Sequence, residues 1–239
     1  MTEQDGPLAT LGVGAQHAAP LPGSAAITWH LFIDAIGRSG PENMAIDEAL
    51  LDRADRCGES FLRLYRWDPP CLSLGRNEPA IERPGIATVR RPTGGRAVWH
   101  EHEVTYAVAA PIAAFGRLRD AYRTIHERLA TALRSLGADV TVAEDRPIAR
   151  LSDRPTDCFA ATVGGEVLAA GRKVIGSAQV RRGAAFLQHG SILLDGSNDT
   201  PNATTLRHVL GRPVAFEEVA ATIVAAWGEP GAASPSVKC

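Results

Sequence analysis

Residues Arg90 to His100 read Arg-Arg-Pro-Thr-Gly-Gly-Arg-Ala-Val-Trp-His and set three guanidinium groups around a diglycine. Arg90, Arg91 and Arg96 are planar, permanently charged donors. Thr93-Gly94-Gly95 can turn without a Cβ clash and bring backbone N–H groups close to a ligand. Such a loop suits an anionic or carbonyl-rich group, while the plain alternative is a tight hairpin with solvated arginines. It is neither a Walker A loop nor a dinucleotide fingerprint, because the following Gly-Lys-Ser/Thr and the G-x-G-x-x-G spacing are both missing. Farther along, Gly171 to Gln179 reads Gly-Arg-Lys-Val-Ile-Gly-Ser-Ala-Gln. The chain has 25 basic residues, of which only Lys173 and Lys238 are lysines, and Lys238 is the penultimate residue. Lys173 therefore reads as an interior position that needs a compact ammonium rather than a guanidinium fork, set against the alternative of a neutral surface lysine.

Most other polar residues give weaker signals. His100 and His102, with Glu101 and Glu103, offer a metal pair lacking a third ligand at a useful spacing. Cys57, Cys71, Cys158 and Cys239 fit neither a zinc knuckle nor a disulfide framework and read as free thiols, with Cys71 in a strand core and Cys57 at a helix end. Asn43 and Asp47 lie four apart, so one helix face can carry both, either as solvated positions or as part of a site.

The elements that must position these residues follow from periodicity. Residues 1–25 are Gly-, Ala- and Pro-rich and read as a tail, 26–228 as one domain, and 229–239 as a fraying end. Ile27 to Ile33 is a first strand, and Ser39-Gly40-Pro41-Glu42 is a capping box opening a helix to about Arg56. Ser60 to Trp67 alternates as a half-buried strand, and Cys71 to Leu74 is another. Leu118, Tyr122, Ile125, Leu129, Leu133 and Leu136 recur at helical spacing, and Gly137 stops that helix. Strands are expected at 158–163, after a loop at 147–157, and at 166–169, around Lys173 and at 185–194, with a last helix at Phe216 to Trp227. The expected fold class is α+β, a mixed β-sheet flanked by helices. A net charge of −2 gives no global field for nucleic acid or anionic membrane. No apolar run reaches the roughly 20 residues of a membrane span, and the acidic start lacks the basic region of a secretory signal, so a cytoplasmic location is expected.

Taken together, Arg90 to Val98, Gly171 to Gln179 and Gln188-His189-Gly190-Ser191-Ile192-Leu193-Leu194 resemble, in that order, the signature segments of the biotin/lipoate ligase and octanoyltransferase superfamily. Asn43 to Asp47 and Leu74-Gly75-Arg76-Asn77 match its looser early segments, and the similarity runs from about Ile27 to Leu194. The resemblance implies a biotin/lipoate ligase catalytic-domain fold that moves an octanoyl or lipoyl group onto a lysine of a lipoyl domain or glycine-cleavage H protein. In that reading acyl carrier protein is the donor and no cofactor is needed. Asp157-Cys158-Phe159 matches the nucleophile position of the cysteine-dependent octanoyltransferase branch, which implies Cys158 and Lys173 as catalytic residues. Lys173 would favour the thiolate and orient the acyl carbonyl, and the amides at Gly94 and Gly95 would face developing oxyanion charge. Arg90, Arg91, Thr93, Arg96, Ala97, Gly176, Ser177, Ala178, His189 and Gly190 are implied as substrate-binding. The competing member of the family is an ATP-dependent lipoate ligase, which forms an acyl-adenylate with ATP and magnesium. Only about 45 residues follow Leu194, so that reading would require a separate accessory subunit. A non-catalytic module gripping an acidic surface or RNA through the arginines is the third reading, opposed by the charge balance and by the lack of a series of stacking aromatics.

Overall fold

The computed structural model describes residues 27–80, 84–144, 165–196 and 202–228. The expected tail at 1–25, the loop at 147–157, the strand at 158–163 and the C-terminal segment 229–239 lie outside the described residues. Among the described residues a seven-stranded sheet runs in the order β1-β2-β6-β10-β9-β8-β7. Its members are β1 (Trp29–Arg38), β2 (Ser60–Trp67), β6 (Glu103–Pro111), β7 (Thr141–Val142), β8 (Val167–Ala169), β9 (Arg172–Arg182) and β10 (Ala185–Leu193). Within this sheet only β1 and β2 pair in parallel, joined through α1 (Gly40–Cys57), and every other neighbour is antiparallel. A second sheet of three strands, ordered β4-β3-β5, comprises β3 (Cys71–Leu74), β4 (Ala87–Arg90) and β5 (Val98–His100). This is the expected α+β architecture.

The two faces of the large sheet are covered differently, and that difference places the site. One face packs Leu62, Leu64, Val108 and Phe186 against α2 (Leu118–Ser135) and α4 (Phe216–Trp227), which supply Ile125, Leu129, Val219 and Ile223. The other packs Phe61, Tyr65, Ala107 and Leu187 against Met44, Leu51 and Ala54 of α1. With helices on both sides, β2 is buried along almost its whole length rather than half-buried as its alternation suggests. A short helix, α3 (Leu206–Leu210), lies between β10 and α4 and carries no strong sequence signal. No helix among the described residues is long and apolar enough to cross a membrane.

Local chemistry explains the start of α1. The Glu42 carboxylate accepts from the Ser39 N–H at 3.0 Å and from the Ser39 hydroxyl at 2.5 Å, and Pro41 sits in the first turn, where its missing N–H leaves no bond unmade. Gly58 closes the helix in a left-handed conformation with φ of 69°.

Leu129 is fully buried between α2 and the sheet. Its replacement by alanine is expected to lower the unfolding free energy by about 2–5 kcal/mol, read as a reduced urea midpoint with an unchanged m-value.

Candidate active site

On the α1 face the three-stranded sheet closes over the large one and leaves a partly open cavity. Met44 of α1 and Tyr65 and Trp67 of β2 form its apolar walls. Ser73, Val98 and His100 come from the small sheet, and Arg91 from the loop that follows β4. The floor is made by Thr105, His189, Gly190 and Ser191 of β6 and β10, continuing into Gly176, Ser177 and Ala178 of β9.

A buried polar ladder locks this floor to the loop. Asp47 of α1 is fully buried, and its carboxylate accepts from Arg63 Nη1 at 2.9 Å, from the Tyr65 hydroxyl at 2.9 Å and faces His189 Nδ1 at 3.0 Å. Because Nδ1 of His189 points at a carboxylate that only accepts, it carries the proton there, so Nε2 accepts from the Thr93 hydroxyl 2.7 Å away. Arg63, buried in mid-sheet, is completed by Asn43 Oδ1 at 2.7 Å and by Asp34 at 2.8 Å. Asn43 and Asp47 are thus one buried face of α1, not solvated positions. A parallel arrangement sits at the other end of the cavity. The Ser73 hydroxyl lies 2.6 Å from His100 Nε2, and His100 Nδ1 lies 2.8 Å from Glu103, whose Oε1 also receives bonds from Thr105 and Ser191.

The arginines behave differently from the anion-gripping loop the sequence suggests. Arg90 Nη1 donates to the carbonyls of Gly75, Arg76 and Glu78, clasping the turn after β3. Arg91 is buried and fans its guanidinium over the carbonyls of Ser73, Gly94 and Arg96. Both shape the loop, since each is aimed at backbone oxygen. Gly75 is needed for the same reason: a Cβ there would lie 2.0 Å from the Gly95 carbonyl oxygen. Gly95 itself has φ of 91°, which favours glycine.

The structure brings Arg91, Gly176, Ser177, Ala178, His189 and Gly190 together at the cavity. Thr93 reaches it through His189, whereas Arg90, which ends β4, and Gly94, Gly95, Arg96 and Ala97 of the following loop do not line it. Lys173 is buried on β9, its ammonium 2.7 Å from Glu166, and does not line the cavity either. Cys158 lies outside the described residues. His100 is buried while His102 is exposed in the turn beyond β5, so the two do not form a metal pair, and no group of three metal-ligating side chains occurs among the described residues. Nor are all the cysteines free: Cys71 is a buried free thiol, but Cys57 is disulfide-bonded. Sequence reasoning missed Tyr65, Trp67, Ser73 and Thr105, which read only as strand residues, and gave Ser191 no role although it falls within a signature segment.

Below the floor, Ser177 Oγ lies 2.6 Å from the Tyr106 hydroxyl and 2.8 Å from His126 Nε2 of α2. Burial holds the His126 pKa down at about 3 and also lowers that of His189, against the pull of the Asp47 carboxylate on the latter.

Two predictions follow from these buried charges. Replacing Arg63 by methionine strands Asp47 and is expected to cost about 3–5 kcal/mol in chemical denaturation. A histidine kept neutral by folding binds fewer protons than in the unfolded chain, so its contribution is intact above pH 6.5 and lost as pH falls toward the folded pKa. For His126 the loss should reach about 2 kcal/mol by pH 5, and His126→Gln should flatten the slope of stability against pH over that range.

Residues 39–213 match the family described as the lipoyl protein ligase A/B catalytic domain. The chain is 45% identical over 179 residues to octanoyltransferase LipM of Carboxydothermus hydrogenoformans, covering 70% of this chain and 65% of that relative. It is 36% identical over 239 residues to octanoyltransferase LipM of Kyrpidia tusciae, covering 84% and 86% of the two chains. Among solved structures it is similar in fold to a lipoate-protein ligase A bound with ATP, with a TM-score of 0.66 at 22% identity and 84% coverage of both chains. A buried loop-to-helix ladder beside a cavity therefore sits in a known catalytic framework, and the chain belongs to the lipoyl protein ligase A/B catalytic domain family, in its octanoyltransferase branch.

Proposed function

We propose that this protein transfers an octanoyl group from acyl carrier protein to a lysine of a lipoyl domain or H protein during protein lipoylation. The observation that supports this most is the cavity between the two sheets, with Met44, Tyr65, Trp67 and Val98 among its walls, in a chain whose relatives are named octanoyltransferases. An eight-carbon chain is apolar and flexible, and apolar walls such as Met44, Tyr65, Trp67 and Val98 favour its removal from water.

Cys158 is the nucleophile in this reading. Its thiolate adds to the thioester carbonyl of the donor, the carrier's thiol leaves and takes up a proton, and octanoyl remains on Cys158 as a new thioester. The acceptor's neutral lysine amine then attacks that carbonyl, an amide forms, and the Cys158 sulfur departs to be reprotonated. Exchange of one thioester for another is nearly balanced, whereas amide formation drives the second step. Lys173, fixed by Glu166, serves as the cation that orients the acyl carbonyl. The loop from Thr93 to Ala97, held in shape by Arg90 and Arg91, supplies backbone donors around the reacting centre. His189 and Gly190 line the floor. No cofactor enters this route; ATP and magnesium belong to the ligase alternative.

Incubation with octanoyl carrier protein should add one octanoyl mass to the enzyme and not to a Cys158→Ser variant. Octanoylation of a lipoyl domain should fall at least a hundredfold in that variant. Unmodified wild-type enzyme, together with pyrophosphate release from ATP and free lipoate, would favour the ligase alternative.

A further inference from the structure

Apart from the residues that acyl transfer uses, one side-chain cluster on the cavity wall has the parts of an activated nucleophile. Ser73 of β3 and His100 of β5 both line the cavity. Their strands pair antiparallel, with Ser73 opposite Val98 and His100 two residues further on, so the two side chains are diagonal neighbours on one face. The Ser73 hydroxyl is 2.6 Å from His100 Nε2, and His100 Nδ1 is 2.8 Å from Glu103 Oε1. These are the separations of a nucleophile from its base, and of that base from the carboxylate that orients it.

The protons in this row have one consistent placement. A carboxylate only accepts, so Nδ1 of His100 carries its proton and Nε2 keeps a lone pair for the Ser73 hydroxyl. Ser73 Oγ itself accepts from Arg91 Nη1 at 3.1 Å, which sets a permanent positive charge beside that oxygen. The Trp67 indole stacks on the imidazole with centroids 4.0 Å apart and planes 11° from parallel, and so fixes its plane. Hydroxyls of Thr105 and Ser191 hold Glu103 Oε1, while its Oε2 has no hydrogen-bond partner among the described residues. Much of the carboxylate charge is thus left for an imidazolium at His100. The second row lacks both properties, because Thr93 does not line the cavity and Asp47 is already paired with the Arg63 guanidinium.

We propose that Ser73, His100 and Glu103 form a second catalytic centre, which hydrolyses esters and thioesters whose acyl group enters the cavity. Ser73 Oγ bonds to the acyl carbonyl carbon as its proton passes to His100 Nε2. The bond to the leaving thiol or alcohol then breaks, that group takes the proton from His100, and the acyl group stays on Ser73 as an ester. Water next gives a proton to His100 while its oxygen bonds to the ester carbonyl. Ser73 Oγ leaves with that proton, and a free carboxylic acid is released. The Arg91 cation beside Ser73 favours the oxyanion that forms in both steps. Met44, Tyr65 and Val98 supply carbon surface for an apolar acyl chain. Hydrolysis at this centre is a different reaction from transfer to lysine and needs no part of Cys158.

The test is run on the full chain carrying Cys158→Ala, in which no thiol at 158 can hold the acyl group. This protein should turn over p-nitrophenyl octanoate with saturation kinetics, and adding Ser73→Ala or His100→Gln should lower kcat/KM by about a hundredfold or more. A β-lactone bearing an octyl chain, which a nucleophile opens without loss of any group, should add one lactone mass to Ser73 in peptide mapping. His100→Gln should suppress that addition, which a purely structural role for the imidazole would not predict. The same mapping is done on the wild type, so it stands even where a variant fails to fold. Absence of the label from Ser73, or hydrolysis unaltered by Ser73→Ala, would each overturn the proposal. A protein that labels at Ser73 but transfers nothing to a lipoyl domain tells against the Cys158 route alone, and one that transfers but never labels at Ser73 tells against this centre alone.

Discussion

The Asp47–Arg63 ion pair is the constraint on which this site depends. Both side chains are removed from water, and neither charge is tolerable there without the other. Arg63 is satisfied by Asp34 from β1, Asn43 from α1 and Asp47, so one guanidinium ties together β1, β2 and the helix between them. Once Asp47 is fixed, its second oxygen determines where the proton sits on His189, and His189 determines where the Thr93 hydroxyl points. The loop over the cavity is thus held by a charge placed three residues away along a chain of hydrogen bonds. A buried pair of this kind adds little net stability over well-packed carbon, and its value here is that it permits one geometry.

The same economy of positions explains why the arginines of the signature loop point inward. A loop bearing glycines at 94 and 95 has few side chains of its own with which to hold a shape. Arg90 and Arg91 provide the missing contacts by donating to carbonyls on both flanks, at Gly75, Glu78, Ser73, Gly94 and Arg96. Guanidinium suits this task because its donors are fixed in a plane and several can be used at once. The Gly75–Gly95 contact then becomes a close backbone approach that no side chain could allow.

Two hydroxyl–imidazole–carboxylate rows flank the cavity, Thr93–His189–Asp47 and Ser73–His100–Glu103. In each, the imidazole bridges a strand of one sheet to a loop or strand of the other structural layer, and the carboxylate is anchored by further donors. Their shared effect is to tie the two sheets and α1 together around the cavity.

Periodicity alone determined much of the scaffold: the capping box at Ser39 to Glu42, the helix from Leu118, the strand from Ser60 and the last helix at Phe216 to Trp227 appear where apolar spacing and turn residues put them. These are local properties, set by side-chain period and by backbone groups within a few residues. The family motifs were legible for the same reason, being short contiguous runs. What the sequence could not yield was direction. Arg90 and Arg91 read as ligand donors because their charge is visible and their carbonyl partners, up to 18 residues distant in the chain, are not. Asn43 and Asp47 read as either solvated or functional, and only the mid-sheet Arg63 resolves them as buried. Trp67, Ser73 and Thr105 carried no signal, because a cavity wall is defined by residues from separate strands meeting in space, and that meeting is decided by tertiary packing.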